Sequence, residues 1–473
     1  HRDLHSFPTR RSSDLLSSGW VDNGIQSGFR VFTQGDAELR IADAVDTDFV
    51  ASGNINVSAL NGVNGFRLDG TAAGDFSGWS VSGAGDVNGD GFDDVIIGAP
   101  RTDPKGIYYD RAVGSSYVVF GKSSGFDATM DLSSLDGSNG FRLDGEAAHD
   151  YSGFSVSSAG DVNGDGFDDV IIGAYQADPN GDRSGSSYVV FGRASGFDAA
   201  MNLSTLDGSN GFRLDGVAAG DLSGRSVSNA GDVNGDGFDD VIIGAPGADS
   251  NGDSSGSGYV VFGRASGFDA TMNLSGLDGS NGFRLNGEAV FDRSGYSVSS
   301  AGDVNGDGFD DVIIGAQGAD SNGNDSGSGY VVFGRASGFD AAMDLSSLDG
   351  SNGFRLDGVE DFEYLGKSVS NAGDVNGDGF DDVIVGNSPR NGSLVSYVVF
   401  GKASGFDAAI SVSSLDGSNG FRLEEGALVF DTMLVNAAGD FNGDGFGDLI
   451  ISANRSGSPG TSYVMFGKAS GFS

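Results

Sequence analysis

The residues in this chain best suited to chemistry are carboxylates, and they recur at a fixed spacing. The string Gly-Asp-Val-Asn-Gly-Asp-Gly-Phe-Asp-Asp starts at Gly85, Gly160, Gly231, Gly302 and Gly373, and returns as Gly-Asp-Phe-Asn-Gly-Asp-Gly-Phe-Gly-Asp at Gly439. Counting from the first aspartate, alternate residues of a tight loop point inward. Positions 1, 3 and 5 then offer Asp86, Asn88 and Asp90, Gly91 permits the sharp bend, and Phe92 can give its backbone carbonyl. Asp94 at position 9 can close the set as a bidentate ligand. This is the hard oxygen donor set that calcium takes, with about six to eight ligands at flexible geometry. An EF-hand would need an acidic residue at position 12, where this chain has Ile97. The plain alternative is an Asx turn held by side-chain-to-backbone hydrogen bonds. That explains one copy well and six copies poorly, because each copy crowds at least three aspartates into nine residues and like charges repel.

The elements that must hold these loops follow from the repeat. The first aspartates are Asp86, Asp161, Asp232, Asp303, Asp374 and Asp440, at spacings of 75, 71, 71, 71 and 66 residues. Each unit reads alike: a small-residue segment (Gly153–Gly160), the acidic loop, Asp169-Val-Ile-Ile-Gly, a Gly/Ser/Asp/Asn loop, then Tyr188-Val-Val-Phe-Gly. A longer link follows, and Phe212-Arg-Leu-Asp-Gly closes the unit. Short β-rich runs bounded by Gly, Asn and Asp read as strands, four to a unit, with no helical periodicity. The two middle runs are apolar on consecutive residues, as strands covered on both faces must be. The expected fold class is therefore all-β, a β-propeller of four-stranded antiparallel blades. A β-roll would need shorter repeats, and EF-hand modules would need helices. Residues 28–70 read as a degenerate first blade without a metal loop, ahead of the calcium-loop repeats over 76–473. Counting it gives seven blades. Six is the alternative, with Gly65–Gly70 supplying the missing fourth strand of the last unit as a clasp.

The run D-x-N-x-D-G-F-x-D followed by V-I-I-G-A-P, with Y-V-V-F-G downstream, resembles the FG-GAP repeat of integrin α-chain propellers and their bacterial relatives, over most of 65–472. In that family such loops bind Ca²⁺ between the first two strands of a blade. The resemblance implies about six Ca²⁺ ions. Their ligands would be Asp86, Asn88, Asp90, Phe92 and Asp94; Asp161, Asn163, Asp165, Phe167 and Asp169; Asp232, Asn234, Asp236, Phe238 and Asp240. The later copies would contribute Asp303, Asn305, Asp307, Phe309 and Asp311; Asp374, Asn376, Asp378, Phe380 and Asp382; Asp440, Asn442, Asp444, Phe446 and Asp448. The sixth copy departs only at Gly447, where the others have aspartate at the non-ligand position 8. The resemblance also implies an extracellular or cell-surface module of adhesion type, with a protein or glycan ligand on the face away from the calcium loops. An accessory domain of a secreted hydrolase and a spacer in a long adhesin are the other readings.

Bulk composition agrees. With 26 Lys+Arg against 67 Asp+Glu the net charge is −41, which repels nucleic acid and anionic membranes. Cysteine is absent, so disulfides and thiolate metal sites are excluded. No apolar run approaches the ~18–20 residues that span a bilayer, so no direct membrane insertion is expected. His5–Leu15 resembles a translated sequencing adapter, so residues 1–15 are set aside and 16–473 is treated as one propeller domain. Met is absent at position 1 and Gly467–Ser473 stops where five earlier copies continue, so the chain reads as part of a longer one.

Copies differ mainly in loops on the face opposite the acidic ones. Tyr108, Tyr109, Arg111, Phe362 and Tyr364 have the aromatic and Arg character of binding hot spots, although loop drift explains them as well. A second acidic pattern, Asp178-Pro-Asn180-Gly-Asp182, recurs at Asp249–Asp253 and Asp320–Asn324, and a plain turn is the expectation there. No enzyme is expected. The histidines are His1, His5 and His149, and the protease-like string Gly252-Asp-Ser-Ser-Gly256 has none placed to activate its serine.

Overall fold

A computed structural model describes residues 60–469 except 64, 105–111, 124, 337, 390–393, 425–431, 441–442 and 455–460, together with three strands before residue 43. The chain divides into two compact units, one comprising His1–Leu68 with Ser124–Met130, the other Asp69–Ser123 with Asp131–Ser473.

In the smaller unit, Val21–Gln26, Phe29–Gln34 and Ala37–Ala42 form an antiparallel meander. The expected first blade thus has a strand where Gly28–Gly35 stands, and its 43–59 portion lies outside the described residues. The Gly65–Gly70 segment forms the strand Arg67–Asp69 beside Thr129–Asp131, with Phe66 stacked on Phe126 at 4.3 Å. Its described partner is Thr129–Asp131.

The larger unit holds six blades, the smaller of the two expected counts. Blade 2 is representative, with strands Ser155–Gly160, Asp169–Ala174, Ser186–Val190 and Gly211–Asp215 paired antiparallel in that order. Blade 6 shows three strands among the described residues, Thr432–Gly439, Asp448–Asn454 and Thr461–Met465. A three-residue strand from the next link adds in parallel to the fourth strand, as Ala200–Asn202 does to Gly140–Asp144. The adjoining Leu203–Thr205 turn is capped by the Asn202 side chain.

Consecutive apolar residues serve opposite faces, as the runs required. Val170, Ile172 and Tyr188 pack with Ile96 and Val118 of blade 1, while Ile171 and Val189 pack with Val241, Ile243 and Tyr259 of blade 3. First strands lie against each other from blade to blade, with Val227 N–H donating to Ser155 Oγ at 3.1 Å. Phe rings add a second seam. Phe212 stacks on Phe268 at 4.6 Å and Arg264 lies 4.7 Å over Phe268. Such a pair contributes about 1 kcal/mol beyond its area.

The end blades expose what the inner blades bury. Val81 of blade 1 is 63% exposed where its equivalent Val227 is 4% exposed, and Phe466 of blade 6 is 51% exposed where Phe400 is 8% exposed. Val227→Ala is therefore expected to cost about 2 kcal/mol and Val81→Ala less than about 0.5 kcal/mol. Paired denaturant titrations check this, and equal costs would contradict the burial pattern.

Candidate metal loops and the opposite face

Each acidic loop joins the first two strands of its blade, as expected. Just before it the first strand bulges, with the register slipping between Ser158 and Gly160. Gly160 sits at φ +69, and a Cβ there would collide with the Asp239 carboxylate of the next blade. Gly164 at φ +71 is covered in the same way by the Phe238 ring.

Within the loop the side chains fold onto the backbone. Asp165 N–H donates to Asp161 Oδ1 at 3.0 Å and to Asn163 Oδ1 at 2.8 Å. Gly166 N–H donates to Asp161 Oδ2 at 2.9 Å, and Phe167 N–H donates to Asp165 Oδ1 at 3.0 Å. The same bonds recur around Asp86, Asp232, Asp303 and Asp374. In the sixth loop Asp440 and Asp444 keep theirs, while Asn442 lies outside the described residues.

The position-9 aspartate is different. Asp169 is fully buried and accepts from Val162 N–H at 3.0 Å and Gly192 N–H at 2.9 Å. Burial pushes its carboxyl up to about 8, with Asp165 and Asp161 adding to the push against those two donors. Asp240, Asp311 and Asp382 rise to about 8 and Asp94 to about 7, in each case through burial first. These groups sit at the base of a loop of exposed or half-buried oxygens.

The structure thus brings the aspartates at loop positions 1, 5 and 9 and the asparagine at position 3 of each described copy into one nine-residue turn. It places the backbone of Phe92, Phe167, Phe238, Phe309, Phe380 and Phe446 in the same turns. Among the described residues no group of three or more acidic side chains stands at metal-cage spacing. The donor set is nevertheless all oxygen. Each aspartate oxygen that accepts one N–H keeps a further lone pair. The residues present therefore fit a hard divalent cation.

Position 8, set aside as a non-ligand, has a role that the spacing did not reveal. Asp239 Oδ2 accepts from Asp161 N–H of the preceding loop at 2.8 Å. Asp168, Asp310 and Asp381 bridge to Asp86, Asp232 and Asp303 in the same way. Gly447 keeps only the backbone contact, donating N–H to Asp374 O at 2.8 Å. Asp239→Ala is expected to lose about 1–2 kcal/mol of stability through the orphaned half-buried N–H. A melting temperature equal to that of the parent chain would contradict this bridge.

On the opposite face, the second acidic pattern is a turn, as expected. Arg183 N–H donates to Asp178 Oδ1 at 2.7 Å, and Asn180 Nδ2 donates to Gly216 O at 2.7 Å. Asn251 and Asn322 repeat that staple. Of the expected contact residues, Phe362 and Tyr364 stand 6.4 Å apart, and both take left-handed φ, +60 and +55. Tyr108, Tyr109 and Arg111 lie outside the described residues. His149 is left-handed too, at φ +76. Sequence reasoning missed the acidic residue that follows these positions. Asp150 Oδ2 accepts from Ala147 N–H at 3.0 Å, and burial raises its carboxyl to about 6. Glu363 replaces it in blade 5, accepting from Tyr397 Oη at 2.9 Å.

Fold and loops together define a propeller of acidic-loop repeats. The FG-GAP repeat family model matches at residues 77–119, 152–190, 223–261, 294–332, 365–398 and 435–465. This chain is an FG-GAP, integrin-α-like β-propeller protein. Integrin alpha-V of Gallus gallus is 30% identical over 52% of this chain and 20% of its own length. Phosphatidylinositol-glycan-specific phospholipase D of Dictyostelium discoideum is 29% identical over 65% of this chain and 31% of its own. Integrin alpha-PS5 of Drosophila melanogaster is 33% identical over 50% and 21%. The chain therefore spans at most about a third of these relatives.

Proposed function

We propose that this propeller is a calcium-stabilised, non-catalytic binding module of adhesion type, working outside the cell or on its surface. The observation that carries the reading is the repeated loop in which a fully buried aspartate stands under an oxygen-rich turn, as Asp169 does while accepting from two backbone N–H groups. A divalent cation there would be held by the residues at positions 1, 3, 5 and 9 and the position-7 carbonyl. It would supply the positive charge that lets the buried carboxylate ionise. Calcium suits the site because its tolerance of irregular oxygen cages matches a loop whose donors also serve the backbone.

A second reading is an accessory propeller of a larger secreted hydrolase. It is favoured by the resemblance to the Dictyostelium phospholipase over 65% of this chain. In either setting the partner would be a protein or glycan rather than nucleic acid, given the net charge of −41.

One loop tests the metal reading. Asp232→Asn combined with Asp236→Asn keeps side-chain size and removes two charges, at the loss of one of the two acceptors that Asp232 gives the turn. Equilibrium dialysis against calcium is expected to find the variant holding one ion fewer per chain than the parent. The same number bound by both would overturn the assignment.

A further inference from the structure

The fourth strands of blades 1 to 4 are each widened by a link from the next blade. Ala200–Asn202 pairs in parallel with residues 142–144, Thr271–Asn273 with 213–215, Ala342–Asp344 with 284–286, and Ala409–Ser411 with 355–357. The outward N–H groups of Arg142, Arg213, Arg284 and Arg355 donate to Ala199, Ala270, Ala341 and Ala408 O at 2.9–3.0 Å. Blade 5 breaks the series. Among the described residues its fourth strand, Gly420–Glu424, is the last in its sheet, and no acceptor faces Arg422 N–H. The Arg422 side chain is 52% exposed where that of Arg213 is 27% exposed.

The links also fill the core. Leu203, Leu274, Leu345 and Val412, each one residue past its short strand, are buried in the same clusters as Leu143, Leu214, Leu285 and Leu356, which are fully buried. The fifth cluster has no such member among the described residues, and Leu423, the counterpart of those four leucines, is only half-buried. The short strands share a chemistry. A small residue stands opposite the arginine, and the Met or Ile after it packs against the core. The Asn202 and Asn273 side chains then accept from the N–H two residues on, at 3.0 and 2.9 Å, and turn the chain inward. Across these four pairs no two carboxylates meet: Asp144 faces Asn202, Asp215 faces Asn273, Asp357 faces Ser411, and Asn286 faces Asp344.

We propose that the open edge of Gly420–Glu424 accepts an extended segment of a separate partner protein, of sequence small–Met/Ile–Asn–Leu, running parallel to the strand. Its backbone accepts from Arg422 N–H and its leucine covers Leu423. Its asparagine stands opposite Glu424, where an aspartate would be repelled. An unpaired strand edge is a template for such pairing. The occupant is a separate chain because the described links of this chain are already paired within it, and a second copy at net charge −41 is repelled. The inference concerns an edge apart from the faces of the binding-module reading and does not depend on calcium.

The test is titration of the full chain, at fixed calcium, into a labelled peptide copying residues 196–205, Gly-Phe-Asp-Ala-Ala-Met-Asn-Leu-Ser-Thr, followed by fluorescence anisotropy. Saturable one-to-one binding is expected. Replacing the peptide's leucine by aspartate should weaken it about tenfold or more, the worth of a buried leucine. Replacing its asparagine by aspartate should weaken it several-fold, and Glu424→Gln in the chain should restore that loss, which a merely unfolded edge would not do. Arg422→Pro removes the outward N–H while the inward pairing to Val395–Val399 stays, so binding should be lost with the melting temperature little changed. No saturable binding by a folded chain, equal binding of the leucine-to-aspartate peptide, or equal binding by Arg422→Pro would each overturn the proposal. A chain that sediments as a dimer, and as a monomer once it carries Arg422→Pro, would put a second copy on the edge and overturn it too. Failure of the calcium reading would show separately, as melting indifferent to chelator.

Discussion

Saturating calcium is expected to raise the melting temperature of this chain by about 10 °C over its value in chelator, and possession of several loops is what makes the effect large. A site filled at ten times its dissociation constant stabilises by about 1.4 kcal/mol, and six such sites act together on one cooperative array. For a unit of this size, about 1 kcal/mol moves the midpoint by 1–2 °C. Magnesium should do less, because it dehydrates reluctantly and demands near-octahedral geometry. The measurement is a thermal scan in calcium, magnesium and chelator. Coincident transitions would leave the loops as hydrogen-bonded Asx turns and nothing more.

The second large effect is an inverted pH dependence without metal. Burial raises Asp169, Asp240, Asp311 and Asp382 to about 8 in the fold, against the ordinary value of 3.8. Between those values the folded chain keeps the proton that the unfolded chain has lost. Stability is therefore present at low pH and falls as pH rises towards 8, by about 1.4 kcal/mol per unit for each group. In chelator the melting temperature should drop from pH 5.5 to pH 7.5. In calcium the ion favours the ionised carboxylate, and the drop should vanish or reverse. Asp240→Asn should make the chelator profile less steep, because one of the four groups can no longer ionise. Parallel profiles in calcium and chelator would contradict the link between buried aspartate and ion.

The blades and their loops were legible in the sequence because both depend on neighbours close in the chain. Asp161 meets Gly166 across five residues, and Asp169-Val-Ile-Ile-Gly announces a strand buried on both faces by its unbroken apolar run. Position 8 was not legible because its partner lies 78 residues away, in the loop of the preceding blade. The parallel strand Ala200–Asn202 was hidden for the same reason: three residues carry no period, and their pairing is with another blade. The hydrogen bonds of Arg225 and Lys367 to Tyr296 join positions 71 residues apart that look interchangeable in any single repeat. Repeat position could be read from the sequence, but contacts between repeats required the fold.

The end faces show how burial depends on place more than on residue type. Ile450 is 38% exposed and Ile384, at the same repeat position, is fully buried. A β-branched run names a strand, while its neighbours determine what that run contributes to stability.

Calorimetric titration of calcium into the chain tests the metal assignment most directly. A count near six ions per chain, falling by one for each loop in which the aspartates at positions 1 and 5 become asparagine, is the result expected from six acidic loops. No heat, or a count unmoved by those substitutions, would contradict it.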